Sequence, residues 1–330
     1  MKDLPHEGHM KCGIQTFMKS PYVGLDEAYS YDVAFLGIPV EYGMSYRKGA
    51  ALGPKAVREY SYWDAVSNTE YWDIDTDTQV YAHTLRICDL GDIHITPTNP
   101  EVSGARIAST VQEVRKACFP LIIGGDHSIA YWTLKGILQP LADEQRLRIG
   151  LLHFDAHLDM ERPYIDLPAV FHGNPFRKLI EEGIISGHQH YAIGQRGIVP
   201  KYLRDFVHDT GVQMYPMKCL REHGFEHSIS RIIEEMRERF NAVYVTCDVD
   251  VIDGGIMCGT GTPVSNGLLP HEMEYAVRKL QKILTIGFEL VELAPKLDVS
   301  GFSTMIACNI LWQFLSFGFS QKNHSVMQTL

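Results

Sequence analysis

Three short polar segments carry side chains that could bind metal ions. Each follows an apolar run typical of a buried strand, and the three sequences are Gly124-Gly125-Asp126-His127-Ser128, Asp155-Ala156-His157-Leu158-Asp159 and Asp248-Val249-Asp250. In an extended chain, residues i, i+2 and i+4 point to the same side, so the acidic and imidazole side chains within each of the last two segments are expected to converge. Carboxylates gathered in this way repel one another strongly unless cations lie between them.

The donor set predicts two divalent cations rather than one. Four carboxylates and two imidazoles are more ligands than a catalytic zinc ion takes from a protein. With two of the carboxylates bridging, the same six groups would supply two adjacent sites. Carboxylate and imidazole together suit Mn²⁺, Ni²⁺ or Fe²⁺ better than a metal that selects thiolates.

The elements that must position these segments alternate between strands and helices. Strands are predicted at residues 32–38, 84–90, 119–123, 147–154, 190–193, 212–215, 242–247 and 286–291. Helices are predicted at residues 102–118, 128–141, 178–183, 201–208, 226–240, 270–284 and 302–319. Continuously apolar strands alternating with helices indicate a parallel sheet covered on both faces, with ligands at the carboxyl ends of the strands. The prediction is one α/β domain, a three-layer α/β/α sandwich, although a (β/α)₈ barrel has the same alternation.

Composition excludes several classes of protein. The 330 residues are 45% hydrophobic and 21% charged, a mixture that forms a packed core and excludes a disordered, collagen-like or coiled-coil chain. Lys and Arg number 30 against 40 Asp and Glu, giving a net charge of −10. This acidic balance argues against a partner such as nucleic acid or an anionic membrane, but not against a cationic ligand.

The sequence predicts a cytoplasmic protein. The most apolar stretch, residues 305–319, is interrupted by Asn309 and Gln313 and is shorter than the ~20 residues needed to cross a bilayer. The polar N-terminus lacks the apolar centre of a signal peptide. The seven cysteines are scattered without a Cys-x-x-Cys pair, which indicates reduced thiols rather than a disulfide framework.

The chain resembles the ureohydrolase family, the arginase and agmatinase group of binuclear metal hydrolases, over roughly residues 12–317. The motifs that carry the resemblance are GGDHS (124–128), FDAHLD (154–159), FHGNPF (171–176), AIGQRG (192–197), TCDVDVID (246–253), GTGTP (259–263) and VELAP (291–295), with earlier signatures at 37–59 and 89–93. The resemblance implies a three-layer sandwich around an eight-stranded parallel sheet and so excludes the barrel. We expect a single domain over 1–330, with a short N-terminal extension over about 1–30.

The resemblance also implies a role for each residue of the site. One metal ion would be held by His127, Asp155, Asp159 and Asp248. The other would be held by His157, Asp155, Asp248 and Asp250. Mn²⁺ is the expected metal, with Ni²⁺ as the alternative.

Three residues are expected to act in catalysis. A metal-bridging hydroxide, aimed by Asp159, would attack a guanidino carbon and give urea and an amine. Glu292 matches the glutamate that pairs with the substrate guanidinium, and His172, near its ordinary pKa, matches the histidine that relays a proton to the leaving amine. Family members assemble, so a homo-oligomer, trimer or hexamer, is expected. Other hypotheses are a partner subunit in a hetero-oligomer, without activity of its own, and a guanidinium-binding protein.

Two segments depart from the family and bear on the substrate. Residues 254–258, Gly-Gly-Ile-Met-Cys, replace a segment that usually contains proline, and residues 160–171 lack the Asn and Ser with which arginases bind the amino-acid end of arginine. Arginine is therefore not the expected substrate, and the chain is placed nearer the agmatinase branch. Glu161 or Asp166 could meet the ammonium of agmatine, and Arg162 the carboxylate of a guanidino acid.

Apolar residues near the motifs also admit a small or alkylated guanidine or a biguanide. They are Met160, Phe171, Met257 and Cys258.

The remaining polar residues near the motifs are interpreted as structural. His153 is predicted to pack in the core, and His188 and His190 to lie at the surface. Asp126 and Asp253 are interpreted as groups that cap or support the site. Glu289 is expected to point away from the site.

Overall fold

Eight parallel strands form the central sheet of the computed structural model, which describes residues 13–64, 71–80 and 84–319. In chain order they are β1 (Val33–Ile38), β4 (Ile87–Asp92), β5 (Phe119–Gly124), β6 (Ile149–Phe154), β7 (His190–Ile193), β8 (Gln213–Tyr215), β9 (Ala242–Asp248) and β10 (Thr285–Val291). Their order across the sheet is β4-β1-β5-β10-β9-β6-β7-β8. A separate antiparallel hairpin contains β2 (Tyr71–Asp73) and β3 (Thr78–Val80).

Helices cover both faces of the sheet. Helices α2 (Pro100–Ala117), α3 (Ile129–Leu138), α5 (Pro175–Glu181) and α6 (Lys201–Thr210) contribute apolar residues to the core on one face. Helices α1 (Gly53–Tyr60), α7 (Met217–Glu222), α8 (Phe225–Arg239), α9 (Pro270–Lys279) and α10 (Phe302–Gln313) pack on the other. A short helix, α4 (Asp143–Arg146), precedes β6. The result is a three-layer α/β/α sandwich with an open sheet, as predicted, and not a barrel.

The four central strands are the ones that position the candidate site. Every residue of β5, β6, β9 and β10 is buried, which accounts for their continuously apolar sequences. The register aligns Phe154 of β6 with Cys247 of β9, and Asp248 of β9 with Val291 of β10. The residues that follow these strands therefore emerge side by side at the middle of one sheet edge.

The prediction of eight parallel strands is confirmed, and the strand bounds differ by three residues or fewer. Sequence periodicity did not predict four elements, because their segments are too short to show a repeating apolar pattern. They are the helices α1, α4 and α7 and the β2–β3 hairpin. The helix predicted over 302–319 changes into a π-helical turn at Phe314–Gly318. None of the helices in the described ranges is both long and apolar enough to cross a membrane.

The domain boundaries stay a prediction. Residues 1–12 of the expected N-terminal extension fall outside the described residues. The later part of that extension lies against the sheet edge, where Phe17 stacks on Phe35 of β1 and its backbone N–H donates to Asp89 of β4 at 2.9 Å.

Candidate metal centre

The first group of candidate ligands surrounds the ring of His127. Its Nδ1 atom lies 2.8 Å from Asp159 Oδ2, 3.2 Å from Asp155 Oδ2 and 3.6 Å from Asp248 Oδ2. The ligand atoms of these four residues all lie within 4.8 Å of one another, and all four side chains are buried. The structure thus brings together the four residues predicted to hold one metal ion.

The second group shares Asp155 with the first. His157 Nδ1 lies 3.1 Å from Asp250 Oδ2 and 3.5 Å from Asp155 Oδ1. Asp155 therefore presents Oδ2 to His127 and Oδ1 to His157, which is the arrangement expected of a bridging carboxylate. Asp248, the other predicted bridge, belongs to the first group; the second consists of Asp155, His157 and Asp250.

Two buried atoms of the first group are suited to a cation. His127 Nδ1 and Asp159 Oδ2 are 2.8 Å apart, yet neither makes a hydrogen bond to any partner in the described part of the chain. Leaving a buried polar atom unpaired costs about 1–3 kcal/mol. A divalent cation bound to both lone pairs would remove that cost, so the residues present fit a metal ion.

Neighbouring groups fix the orientation of the ligands. His127 Nε2 lies 2.9 Å from Thr246 Oγ1, which leaves Nδ1 to face the carboxylates. Asp250 accepts from the Ala156 N–H and from Thr262 Oγ1, each at 3.2 Å. These hydrogen bonds hold the side chains in position before any metal binds.

The ligands converge through turns, so the expectation of an extended backbone was wrong. Asp155 Oδ1 accepts from the His157 N–H at 2.6 Å, and Asp248 Oδ1 accepts from the Asp250 N–H at 2.8 Å. Residues Val249–Val251 form a 3₁₀ turn. Aspartate side chains bond readily to the backbone two residues ahead, and this local bond replaces the extended strand.

Burial and mutual charge perturb the titration of the ligands. Burial opposes protonation of His127, but the close carboxylates of Asp155, Asp159 and Asp248 outweigh it and hold its pKa well above the usual value. Burial likewise opposes protonation of His157, yet Asp250 and Asp155 raise its pKa to about 12. Burial and the charges of Asp250 and Asp155 raise the pKa of Asp248 well above normal. Without a metal, protons balance the charge of this cluster.

His172 and Glu292 lie beside the metal cluster, as expected. The backbone N–H of His127 donates to Glu292 Oε1 at 2.9 Å, and the same oxygen lies 3.4 Å from His172 Nδ1. Glu292 Oε2 is buried and makes no hydrogen bond within the described residues. Glu292 and Asp159 both adopt left-handed backbone angles, with φ of 65° and 51°, a strained conformation that often occurs at functional sites.

Two properties of His172 differ from the expectation. Its Nε2 lies 2.7 Å from Ser45 Oγ, a contact that sequence reasoning did not identify, although Ser45 lies within the early signature at 37–59. Burial opposes protonation, but Glu292, with Asp159 and Asp126, raises the pKa of His172 to about 9 rather than leaving it near the ordinary value.

Two acidic residues that were interpreted as structural have the contacts expected of them. Asp126 accepts from the Ser128 and Gly43 N–H groups at 3.0 and 2.9 Å, and so supports the site as expected. Glu289 is fully buried and accepts from Thr133 of α3 and Tyr244 of β9, each at 2.8 Å, so it points away from the site as expected.

Among the histidines, one prediction was wrong. His153 is fully buried and His188 is exposed, as predicted. His190 was predicted at the surface but is also fully buried, because β7 lies between β6 and β8.

The two segments that depart from the family pattern, residues 160–171 and 254–258, bury most of their apolar residues near the motifs. Met160 and Met257 are fully buried, Phe171 is 2% exposed, and only Cys258 of this group is exposed. Met257 packs in one of the apolar cores and so offers no exposed surface to a ligand.

Polar residues and the apolar Ile165, which is 98% exposed, form the outer surface of the Met160–Phe171 segment. Arg162 and Asp166 are exposed. The Arg162 guanidinium carbon lies 4.2 Å from the centre of the Tyr202 ring, and the Tyr202 hydroxyl bonds to Glu161. Stacking holds the Arg162 side chain against the ring, while its charged edge stays in water.

Comparisons with known proteins agree with this geometry. The model of the Arginase family matches residues 31–316. Relatives include mitochondrial guanidino acid hydrolase of Homo sapiens, 30% identical over 92% of this chain and 82% of its own length. Another is guanidinopropionase of Pseudomonas aeruginosa, 32% identical over 92% of this chain and 91% of its length.

Solved structures show the same architecture. Proclavaminate amidino hydrolase from Streptomyces clavuligerus superposes with a TM-score of 0.79 at 29% identity, covering 94% of this chain and 99% of its own. Arginase from Bacillus caldovelox superposes with a TM-score of 0.72 at 25% identity, covering 88% and 98%. The chain belongs to the arginase family and is a hydrolase that acts on guanidino carbon–nitrogen bonds.

Proposed function

We propose that this protein hydrolyses a guanidino compound without an α-amino-acid head to urea and an amine, with two divalent metal ions bound at the candidate centre. The observation that carries the proposal is the pair of ligand groups that share Asp155 through its two different oxygens. The ligands are His127, Asp155, His157, Asp159, Asp248 and Asp250. Metal ions bound there supply a hydroxide at neutral pH and stabilise negative charge on the attacked group.

The substrate guanidinium has a ready partner in Glu292. Its Oε1 is occupied by the His127 N–H, while Oε2 is buried and unpaired within the described residues. A planar, permanently charged guanidinium offers N–H donors that suit this oxygen.

His172 is placed to deliver the proton that the leaving amine needs. Attack at the central carbon forms a C–O bond, and the C–N bond then breaks with a proton passing to the departing nitrogen. Because Glu292 raises the pKa of His172 to about 9, the imidazole is charged at neutral pH and can donate. Ser45 holds the other ring nitrogen.

The Met160–Phe171 segment argues against arginine. It offers no Asn or Ser side chain to pair an α-carboxylate and an α-ammonium, and unpaired charges in a cleft are costly. Arg162 is available for a carboxylate, which favours a guanidino acid; relatives at 30–32% identity are named as guanidino acid hydrolase and guanidinopropionase.

The expected partners and location follow from the same interpretation. The substrate is a small cationic guanidino compound, and the chain assembles as a homo-oligomer, a trimer or hexamer, in the cytoplasm. Mn²⁺ is the proposed metal and Ni²⁺ the alternative.

The direct test measures both products. The purified chain, stripped of metal and reloaded with Mn²⁺ or Ni²⁺, is incubated with 4-guanidinobutyrate, 3-guanidinopropionate, agmatine, methylguanidine and dimethylbiguanide. We expect urea and the matching amine in equal amounts from at least one compound, and none after chelation. Two bound metals without urea from any guanidine would instead favour a partner subunit or a guanidinium-binding protein.

A further inference from the structure

Two buried histidines extend the candidate metal centre into the core. His153 Nε2 lies 2.8 Å from Asp155 Oδ2, and His153 Nδ1 lies 3.0 Å from His190 Nε2. Both rings are fully buried. His190 Nδ1 has no hydrogen-bond partner in the described part of the chain, so the line of contacts ends there.

We propose that His153 and His190, here called the imidazole pair, are positioning residues that hold Asp155 in its bridging orientation. The inference rests on the proposed role of Asp155 as a ligand of both metal ions. No group in the pair touches substrate, and its action passes through Asp155 alone.

The available donors and acceptors fix which ring nitrogen of each histidine carries the hydrogen. A neutral imidazole has one N–H, and an ionised carboxylate can only accept. His153 must therefore place its hydrogen on Nε2 to donate to Asp155, which leaves Nδ1 as an acceptor. His190 must then place its hydrogen on Nε2 to donate to His153. Its own Nδ1 is left as a lone pair, which agrees with the absence of a partner for that atom.

The buried residues around the imidazole pair preserve this assignment of donors and acceptors. The Phe176 ring, fully buried, lies 4.3 Å from the His153 ring and 4.8 Å from the His190 ring, centre to centre, and 5.2 Å from that of His127. This packing excludes water from the pair, and hydrogen bonds are electrostatically stronger in such a medium. Burial and the neighbouring His153 and His127 also lower the pKa of His190 well below normal, so its ring stays neutral.

The donor, rather than the ring volume, explains why imidazole stands at position 190. An apolar side chain of similar size would fill the same space beside Phe176 without burying an unpaired nitrogen. A glutamine at 190 can place an amide N–H where His190 Nε2 lies, whereas leucine cannot. Comparing glutamine with leucine at position 190 therefore distinguishes a role in positioning Asp155 from a role in packing.

The experiment measures Mn²⁺ affinity of the metal-depleted chain, because this readout does not depend on turnover. The variants are His190→Leu, His190→Gln, His153→Leu, the double variant His153→Leu/His190→Leu, and Asp155→Asn. His188→Gln, at an exposed histidine two residues from His190, is the matched control. Circular dichroism and unfolding curves of the metal-free variants show which are folded.

We expect His153→Leu to weaken Mn²⁺ binding by about 10–100-fold and His190→Leu by a smaller factor, on the order of threefold to tenfold. His190→Gln should bind within about twofold of the wild type, and the double variant should bind no worse than His153→Leu, because His190 acts only through His153.

Three results would overturn the inference. They are unchanged affinity in His190→Leu, equal losses in His190→Gln and His190→Leu, or additive losses in the double variant. If His153→Leu does not fold, the two His190 variants decide the question by themselves. Unchanged metal binding in Asp155→Asn is a different failure, since it contradicts the proposed function itself.

Discussion

The metal cluster and the Met160–Phe171 segment lie next to each other and differ in almost every physical respect. Five of the six candidate ligands are buried and His157 is partly exposed, and neighbouring side chains and backbone groups hold them in position. Residues 162–166 of the segment are exposed, and Arg162 rests on Tyr202 with its charged edge in water. We propose that the buried region carries the reaction and that the exposed region selects which guanidine is bound.

The largest effect is expected at the shared carboxylate. Asp155→Asn removes the charge that faces both imidazoles, so bound metal should fall below one ion per chain. Urea release should fall by more than the ~10²-fold that loss of a supporting contact costs. Metal analysis and a urea assay check this.

The matched control for that variant is Asp166→Asn. Asp166 is an exposed acid on the Met160–Phe171 segment, so the variant should keep both metals. If the two variants lose metal equally, the contrast between the buried and exposed regions is wrong.

His172→Phe should separate proton transfer from metal binding. The variant removes the group whose pKa Glu292 raises to about 9, so kcat should fall by ~10²–10⁴-fold with the metal content unchanged. Steady-state kinetics on metal-analysed protein measures this. Wild-type kcat in the variant would remove His172 from the reaction.

Metal binding should release protons and strengthen as pH rises. In the metal-free chain the pKa values of His127 and His157 are raised, so both rings hold protons at neutral pH that a cation must displace. Affinity should change by about tenfold per pH unit for each proton released, falling as the pH falls.

Calorimetric titration with Mn²⁺ in two buffers of different ionisation enthalpy counts these protons. The exposed His208→Gln variant should release the same number as the wild type. Binding heats that do not depend on the buffer would show that the imidazoles are already neutral.

The smallest effect is expected in the exposed region. Arg162→Gln should raise KM for guanidino acids by about twofold to fivefold, because exposed ion pairs contribute little. KM for agmatine should stay the same or fall, and kcat should not change. An equal rise in KM for acids and for agmatine would exclude Arg162 from carboxylate binding.

The sequence predicted the strands, and the convergence of the candidate ligands at one sheet edge, because both depend on local pattern. Apolar strands followed by acidic turns identify the carboxyl ends of a parallel sheet, and Asp155 and Asp248 lie there. The backbone geometry was predicted less well, since Asp155 and Asp248 bond to the N–H groups two residues ahead instead of continuing the strand.

Other features depend on which elements pack together, and local pattern does not contain that information. His190 begins a short strand, and only its place between β6 and β8 makes it buried. Ser45 approaches His172 across 127 positions of sequence. Met257 follows two glycines in a loop, yet it enters the core. In each case the deciding contact comes from a distant part of the chain.

The proposed preference for a guanidine without an α-amino-acid head is measured by kcat/KM for urea release from guanidines that differ in the part remote from the guanidino group. With metal-loaded protein, 4-guanidinobutyrate, 3-guanidinopropionate, agmatine and arginine are compared under one condition. We expect one of the compounds without an α-amino-acid head to be preferred and arginine to be the poorest substrate. Arginine as the best substrate, or no urea from any of them, would contradict this expectation.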